Sequence, residues 1–241
     1  MDFNKFTDKL SQKLSHKNLI IIIVFLCIAI IALIGGYLKR YNDLSPQQEI
    51  VTSTDTVQEI PPMVIIDPGH GGWDPGAMNG KTSEKDIVLD ISLEIEKLLK
   101  QKNIDYYMIR TDDTYVSLED RARIANEKKG RLFISIHNNS FTDAAQNGIL
   151  TAYNPYSPTG KDIAIIMQSE IKNLGMKNRE IMPRPNLYVL RHTEMPSLLL
   201  EIGFISNKKD LKLVTDDEFK KNCAQQVVSG IEEILEKCIN N

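Results

Sequence analysis

Two histidines and two glutamates in this 241-residue chain are of the types that can do hydrolytic chemistry, and each sits beside the end of an apolar run or the start of a helix. Met63-Val64-Ile65-Ile66-Asp67-Pro68-Gly69-His70-Gly71-Gly72 is an apolar run that breaks into a glycine-rich turn carrying His70. Glu84 follows Thr82-Ser83 and opens an amphipathic stretch. Phe133-Ile134-Ser135-Ile136-His137 ends in the second histidine, and Leu198-Leu199-Leu200-Glu201-Ile202-Gly203-Phe204 places a carboxylate within an apolar run. Two imidazoles and a carboxylate are what a catalytic zinc takes as protein ligands, leaving a fourth position for water. A second carboxylate beside that water can serve as general base. The set reads as a zinc hydrolase. Taken singly, the residues have blander readings: a glycine-rich turn also suits a phosphate. A carboxylate in an apolar run needs a partner, and Arg191 or Arg110 could supply an ion pair to Glu201.

Strand and helix patterns alternate from Met63 onward. Strands are expected over Met63–Ile66, Asp105–Arg110, Leu132–Ile136, Gly148–Tyr153, Leu187–Leu190 and Leu198–Ile202. Val88, Ile91, Ile95 and Leu98 recur at helical spacing within Lys85–Lys100. Ser117 with Asp120 marks the start of a helix ending near Lys129, and Thr159 the start of one through Leu174. Asp216–Asn240 closes the chain as a helix. This alternation predicts an α/β fold: a single three-layer domain with a twisted, largely parallel sheet between helices. Functional residues of such sheets collect at the carboxyl ends of strands, where His70, His137 and Glu201 are expected.

The remaining sequence bounds the setting. A net charge of −3 and a pI near 5.9 offer no basic field for nucleic acid, which is not expected as a partner. Leu19–Leu38 is an uncharged apolar run matching the roughly 30 Å core of a bilayer. It is longer than the apolar stretch of a cleaved signal and has no small-x-small site before Lys39, so it reads as a signal anchor. Lys5, Lys9, Lys13 and Lys17 place the N-terminus in the cytoplasm, with Lys39 and Arg40 as a weaker opposing signal. The expected organisation is therefore a cytoplasmic segment 1–18, a transmembrane helix 19–38, a flexible linker 39–62 and a catalytic domain 63–241. As a coil the linker spans roughly 26 Å. Cys223 and Cys238, on one helix, stand too far apart for a disulfide, and Cys27 lies in the membrane run.

At the four blocks the sequence resembles the zinc-dependent N-acetylmuramoyl-L-alanine amidases. The blocks are Asp67-Pro68-Gly69-His70-Gly71-Gly72, Asp74-Pro75-Gly76-Ala77, Glu84-Lys85, and Ser135-Ile136-His137 with Asn139. Met195-Pro196 then leads to Glu201-Ile202-Gly203-Phe204-Ile205-Ser206-Asn207. Arg110-Thr111 with Asp113, Leu118 with Arg121, Ala125 and Asn126, and Tyr188-Val189-Leu190-Arg191 fit the same pattern, so the resemblance spans Met63 to Ile239. It implies one zinc held by His70, Glu84 and His137, with Glu201 as the catalytic carboxylate. It also implies cleavage of the amide between the lactyl group of muramic acid and the first L-alanine of the stem peptide. Asn139 and Arg191 are candidates for substrate contacts, with Arg191 alternatively supporting Glu201, and Asp67 is a candidate for holding a ligand histidine. Family members often carry a small residue where this chain has Asn138, and the extra amide is expected to bear on substrate choice. Lys85 to Gln146 leaves no room for a long autoinhibitory helix.

A membrane anchor with a bare amidase domain resembles the spore-cortex amidases of endospore-forming, Gram-positive bacteria. The expectation is thus a single-pass membrane enzyme, domain outside, acting on peptidoglycan in cortex maturation, with an activating protein partner left open. Alternatives are a general autolysin or cell-separation amidase, a zinc peptidase cutting within the stem peptide, and a peptidoglycan-binding regulator without catalysis. His192 reads as an exposed residue and His16 as juxtamembrane. Trp73 and Tyr188 read equally as sugar-stacking surfaces, core or site wall.

Overall fold

A computed structural model describes residues 16–44 and 63–239; most of the expected cytoplasmic segment and linker, and the last two residues, lie outside them. The chain divides into two compact units, Met1–Gln58 and Glu59–Asn241. In the first, α1 (His16–Leu44) is one helix, long and apolar enough over Ile23–Arg40 to cross a membrane. It runs past Leu38 because Lys39, Arg40 and the residues up to Leu44 include neither glycine nor proline.

The second unit is built on a six-stranded sheet. Its strands are β1 (Val64–Pro68), β4 (Tyr106–Met108), β5 (Leu132–Asn139), β6 (Ile149–Tyr153), β7 (Asn178–Pro183) and β8 (Ser197–Phe204), in the order β4-β1-β5-β8-β6-β7. Only the β6–β8 pairing is antiparallel, so the centre of the sheet is parallel. A two-stranded ribbon, β2 (Met78–Asn79) and β3 (Thr82–Ser83), leads into the first helix of this unit. The helices are α2 (Glu84–Gln101), α3 (Leu118–Glu127), α4 (Gly160–Ile171), α5 (Tyr188–His192), α6 (Lys208–Val214) and α7 (Asp217–Ile234), the last continued by a π-turn over Leu235–Ile239.

The pleat explains the three layers. Val64, Ile66, Ile134, Ile136, Leu198 and Leu200 point to one face, where they pack with Val88, Ile91 and Ile95 of α2, Ile163 and Met167 of α4, and Val227 and Ile231 of α7. Ile65, Phe133 and Leu199 point to the other, against Ala125 of α3 and Val189 and Leu190 of α5. Strands buried on both faces read as continuous apolar runs, which is why β1, β5 and β8 were legible. His137 and Glu201 continue the second set by the same period of two.

Leu187–Leu190 is not a strand: Leu187 caps a short helix that begins at Tyr188. Arg191 N–H donates to the Leu187 carbonyl and Thr193 N–H to that of Val189, closing a short helix whose apolar side meets the sheet. A four-residue apolar run fits either state by pattern. The sequence reading also lacked β7 and α6. Between Lys85 and Gln146 the elements are α2, β4, α3 and β5, with no inserted helix.

Candidate active site

The site assembles where β1, β5 and β8 end. His70 stands just past β1, in the left-handed region at φ 59°, a conformation that costs a non-glycine residue about 1–3 kcal/mol unless its surroundings impose it. Two buried arginines impose it. Arg121 donates to the carbonyls of Pro68 and His70 and to Asp67 Oδ1. Arg110 donates through Nε to the Pro68 carbonyl at 2.9 Å and through Nη2 to those of Gly69 at 2.7 Å and Lys85 at 2.9 Å. Asp67 completes the brace by accepting from Ser135 Oγ at 2.7 Å. It therefore supports Arg121 and Ser135, not a histidine. Removing one member of such a buried pair leaves an uncompensated charge, worth roughly 3–5 kcal/mol.

The residue that does hold a histidine is Asp74, whose Oδ2 lies 2.8 Å from His70 Nδ1. That bond puts the ring proton on Nδ1 and turns the bare Nε2 toward Glu84 Oε1, 3.1 Å away. His137 Nδ1 lies 2.9 Å from the same oxygen. The two rings meet edge to face, centroids 4.9 Å apart. Glycines permit the crowding: a Cβ on Gly69 would stand 2.4 Å from His137 Cε1, and one on Gly76 2.6 Å from Glu84 Oε2.

Glu84, only 3% exposed, is the first residue of α2, where the helix N-terminus favours an anion. Its Oε1 accepts from Asn138 N–H at 3.0 Å and its Oε2 from Ala77 N–H at 2.9 Å. Burial pushes its pKa up, but the hydrogen bonds and charges of His137 and His70 outweigh this and hold it well below the usual carboxylate range. Burial likewise lowers His70, and Glu84 and Asp74 together reverse that to a net rise. Two imidazole nitrogens facing one carboxylate oxygen call for a positive charge between them, as a proton or as a metal ion. One ligand atom from each of His70, Glu84 and His137 lies within 4.8 Å of the others, so the donor set fits a metal.

Glu201 pairs in register with His137 across the β5–β8 ladder, which sets the two side by side on one face. Its Oε2 is sealed from solvent and has no hydrogen-bond partner. Desolvation therefore dominates: it pushes the carboxyl up to about 7, against the weaker pull of His137. Neither arginine considered from sequence pairs with it. Arg110 braces the His70 turn, and Arg191 is exposed, its guanidinium making no hydrogen bond or ion pair among the described residues. The guanidinium whose charge acts on Glu201 is that of Arg184.

Asn139 is half-buried at the end of β5, where its side chain accepts from Ser140 N–H at 2.8 Å. Asn138 is 4% exposed; its amide donates to the Ile202 carbonyl and its N–H to Glu84. It forms the wall behind Glu84 and offers substrate nothing, contrary to expectation. His192 is exposed and stacks on Tyr188, centroids 3.9 Å apart. Asp74, Arg110 and Arg121 fit the family pattern in the sequence, but their parts in holding His70 and its turn appear only in the structure.

A mixed α/β sheet that brings two imidazoles and a carboxylate to one point, with a second, desolvated carboxylate alongside, has the make-up of a hydrolase domain. The family model for N-acetylmuramoyl-L-alanine amidase matches residues 64–233, and the chain belongs to that family. Probable cell wall amidase LytH of Staphylococcus aureus is 34% identical over 171 residues, 70% of this chain and 56% of LytH. The chain thus spans little more than half the length of that relative. The catalytic domain of the amidase CwlV from Bacillus (Paenibacillus) polymyxa var. colistinus superposes with a TM-score of 0.70 at 36% identity, covering 73% of this chain and 98% of CwlV's. The CwlD amidase of Clostridioides difficile, solved in complex with the GerS lipoprotein, gives 0.70 at 33% identity, covering 73% and 98%.

The sign of the Glu201 shift makes a stability prediction. A carboxyl whose folded pKa is raised from 4.5 to about 7 holds its proton more tightly when folded. Its contribution is complete below the unfolded value and is lost as pH rises through 7. In metal-free protein, Glu201→Gln is therefore expected to match the parent at pH 4 and to gain up to about 3 kcal/mol above pH 8. Unfolding curves across that range check it; parallel pH profiles for the two proteins would show that Glu201 ionises normally.

Proposed function

We propose that the chain is a zinc-dependent peptidoglycan amidase, held to the membrane by α1, that cleaves the amide between the muramic lactyl group and L-alanine. The observation that carries this reading is Glu201, unpaired and in register with His137, beside the convergence of His70, Glu84 and His137. The family, and relatives named as amidases at 34% to 36% identity, support it. His70, Glu84 and His137 would hold the metal, with Asp74 fixing the tautomer of His70. The chemistry zinc supplies when bound by such a set is polarisation of a carbonyl and a lowered water pKa.

Glu201 moves the proton. With its pKa raised to about 7, the carboxylate is basic enough to take a proton from the attacking water and acidic enough to return it. The return goes to the alanine nitrogen, since an amine leaves only when protonated. Burial of Oε2 keeps bulk water from competing for that proton. Glu84, held strongly anionic, cannot share this work and serves as a ligand. Asn139, half-buried at the end of β5, and the exposed Arg191 are the proposed substrate contacts.

Full-length protein in detergent, loaded with zinc and mixed with purified peptidoglycan, is expected to release stem peptides with a free L-alanine amine. Glu201→Ala should slow release by about a hundredfold or more, as read by mass spectrometry. A new amine on a residue within the stem would make the chain a peptidase instead, and intact glycan-linked peptides would favour a binding protein.

The proposal extends to the spore cortex, with a lipoprotein as partner. Its support is the likeness to CwlD, which was solved with the GerS lipoprotein. In a spore-forming host, deletion of the gene is expected to abolish muramic lactam in the cortex. Normal lactam content would move the enzyme to the vegetative wall.

A further inference from the structure

Trp73 is the chain's single tryptophan, and it is 76% exposed. It stands at the tip of the turn that begins beside His70, with its ring lying on that of Tyr115, centroids 4.2 Å apart and planes tilted by 33°. The backbone beneath it is fixed. Gly71 and Asp74 exchange both their backbone hydrogen bonds, at 3.0 and 3.1 Å. Gly72 N–H donates to Asp113 Oδ1 at 2.8 Å, while Lys85 Nζ donates to the Gly72 carbonyl at 2.8 Å and to Asp113 Oδ2 at 2.6 Å. A Cβ on Gly71 would stand 2.2 Å from the Thr114 carbonyl oxygen, and one on Gly72 2.9 Å from Tyr115 N. The turn and the Tyr115 segment are thus in backbone contact. Asp74, which closes this turn, is the residue bonded to His70. The aromatic pair and a candidate metal ligand share one braced element.

We propose that Trp73 and Tyr115 form a stacking platform for an N-acetylhexosamine ring of the glycan strand. The inference rests on the peptidoglycan reading above and adds a subsite to it. In that reading the scissile amide hangs from a sugar by a short lactyl arm, so a pyranose must lie beside the centre. One face of a pyranose is a plane of C–H groups that suits an aromatic surface, while its hydroxyl and acetamide edges need polar partners. Asp113, 54% exposed, and the Lys85 ammonium lie at the rim of the pair and supply them. Neither Trp73 nor Tyr115 belongs to the buried core. Aromatic rings with a wet edge are the usual anchors of a binding surface.

The test uses full-length protein in a non-glycosidic detergent and the peptide-free probe chitotetraose. A saturable change in tryptophan emission, weakened in Tyr115→Ala, is expected, and Trp73 is its only source. On peptidoglycan, Trp73→Ala should raise KM about three- to tenfold with kcat little changed, and Trp73→Tyr should restore most of the loss. Thermal midpoints should be the same for all three. Unaltered emission with saturating probe, together with an unchanged KM for Trp73→Ala, would overturn the platform. Cleavage with neither an emission change nor a KM effect sinks this inference and spares the amidase reading. An emission change without cleavage does the reverse.

Discussion

The structure turns on keeping one ionised carboxylate out of water. Glu84 is almost wholly buried, and an isolated anion there would cost far more than the fold could supply. It is tolerated because the start of α2, the N–H groups of Ala77 and Asn138, and two imidazoles all face it. Each of these has its own requirement. The imidazoles need a turn after β1 and a strand end on β5 that stop at the same level. The N–H groups need the β2–β3 ribbon and a ladder irregularity between His137 and Asn139. Glu201 experiences the opposite environment a strand away: no donor reaches its Oε2, and desolvation raises its pKa where that of Glu84 is lowered. The two carboxylates are thus held in different protonation regimes, which is what the proposed division into ligand and proton carrier requires.

A second constraint lies behind the first. The His70 turn presents three successive carbonyls, from Pro68, Gly69 and His70, with no strand to receive them. Arg110 and Arg121 receive them instead, and Asp67 balances Arg121 from the face of the sheet next to α3. These guanidiniums act on the centre through the backbone and bond to no side chain of the candidate ligands. Their rigidity passes onward through Asp74 to the exposed turn bearing Trp73.

Much of this was legible in the sequence, for physical reasons that also mark its limits. Strands β1, β5 and β8 are buried on both faces, so their apolar runs stand out and the histidines and glutamate at their ends are conspicuous. Leu187–Leu190 carries the same kind of run in four residues, too short to distinguish a strand from the helical turn it forms. The edge strand β7, Asn178–Pro183, is half polar with Glu180 in the left-handed region, and no alternation announces it. Arg110 and Arg121 fit the family pattern, but nothing in a sequence says that an arginine is buried, so their hold on the carbonyls emerged only in three dimensions. Asp67 and Asp74 both lie near His70 in sequence, and which of them reaches its ring is decided only by the turn. The Asn138 amide looked like a substrate group because the pleat and the bulge that turn it inward are tertiary facts.

The proposed chemistry requires that His70, Glu84 and His137 together bind one zinc ion. The decisive measurement is zinc-edge X-ray absorption on full-length protein, with metal content measured on the same sample. One zinc per chain is expected, in a shell of two imidazoles and light oxygen donors, with the metal lost in His137→Ala although the protein remains folded. A folded protein that takes up no zinc, or whose zinc shell is unchanged by that substitution, would contradict it.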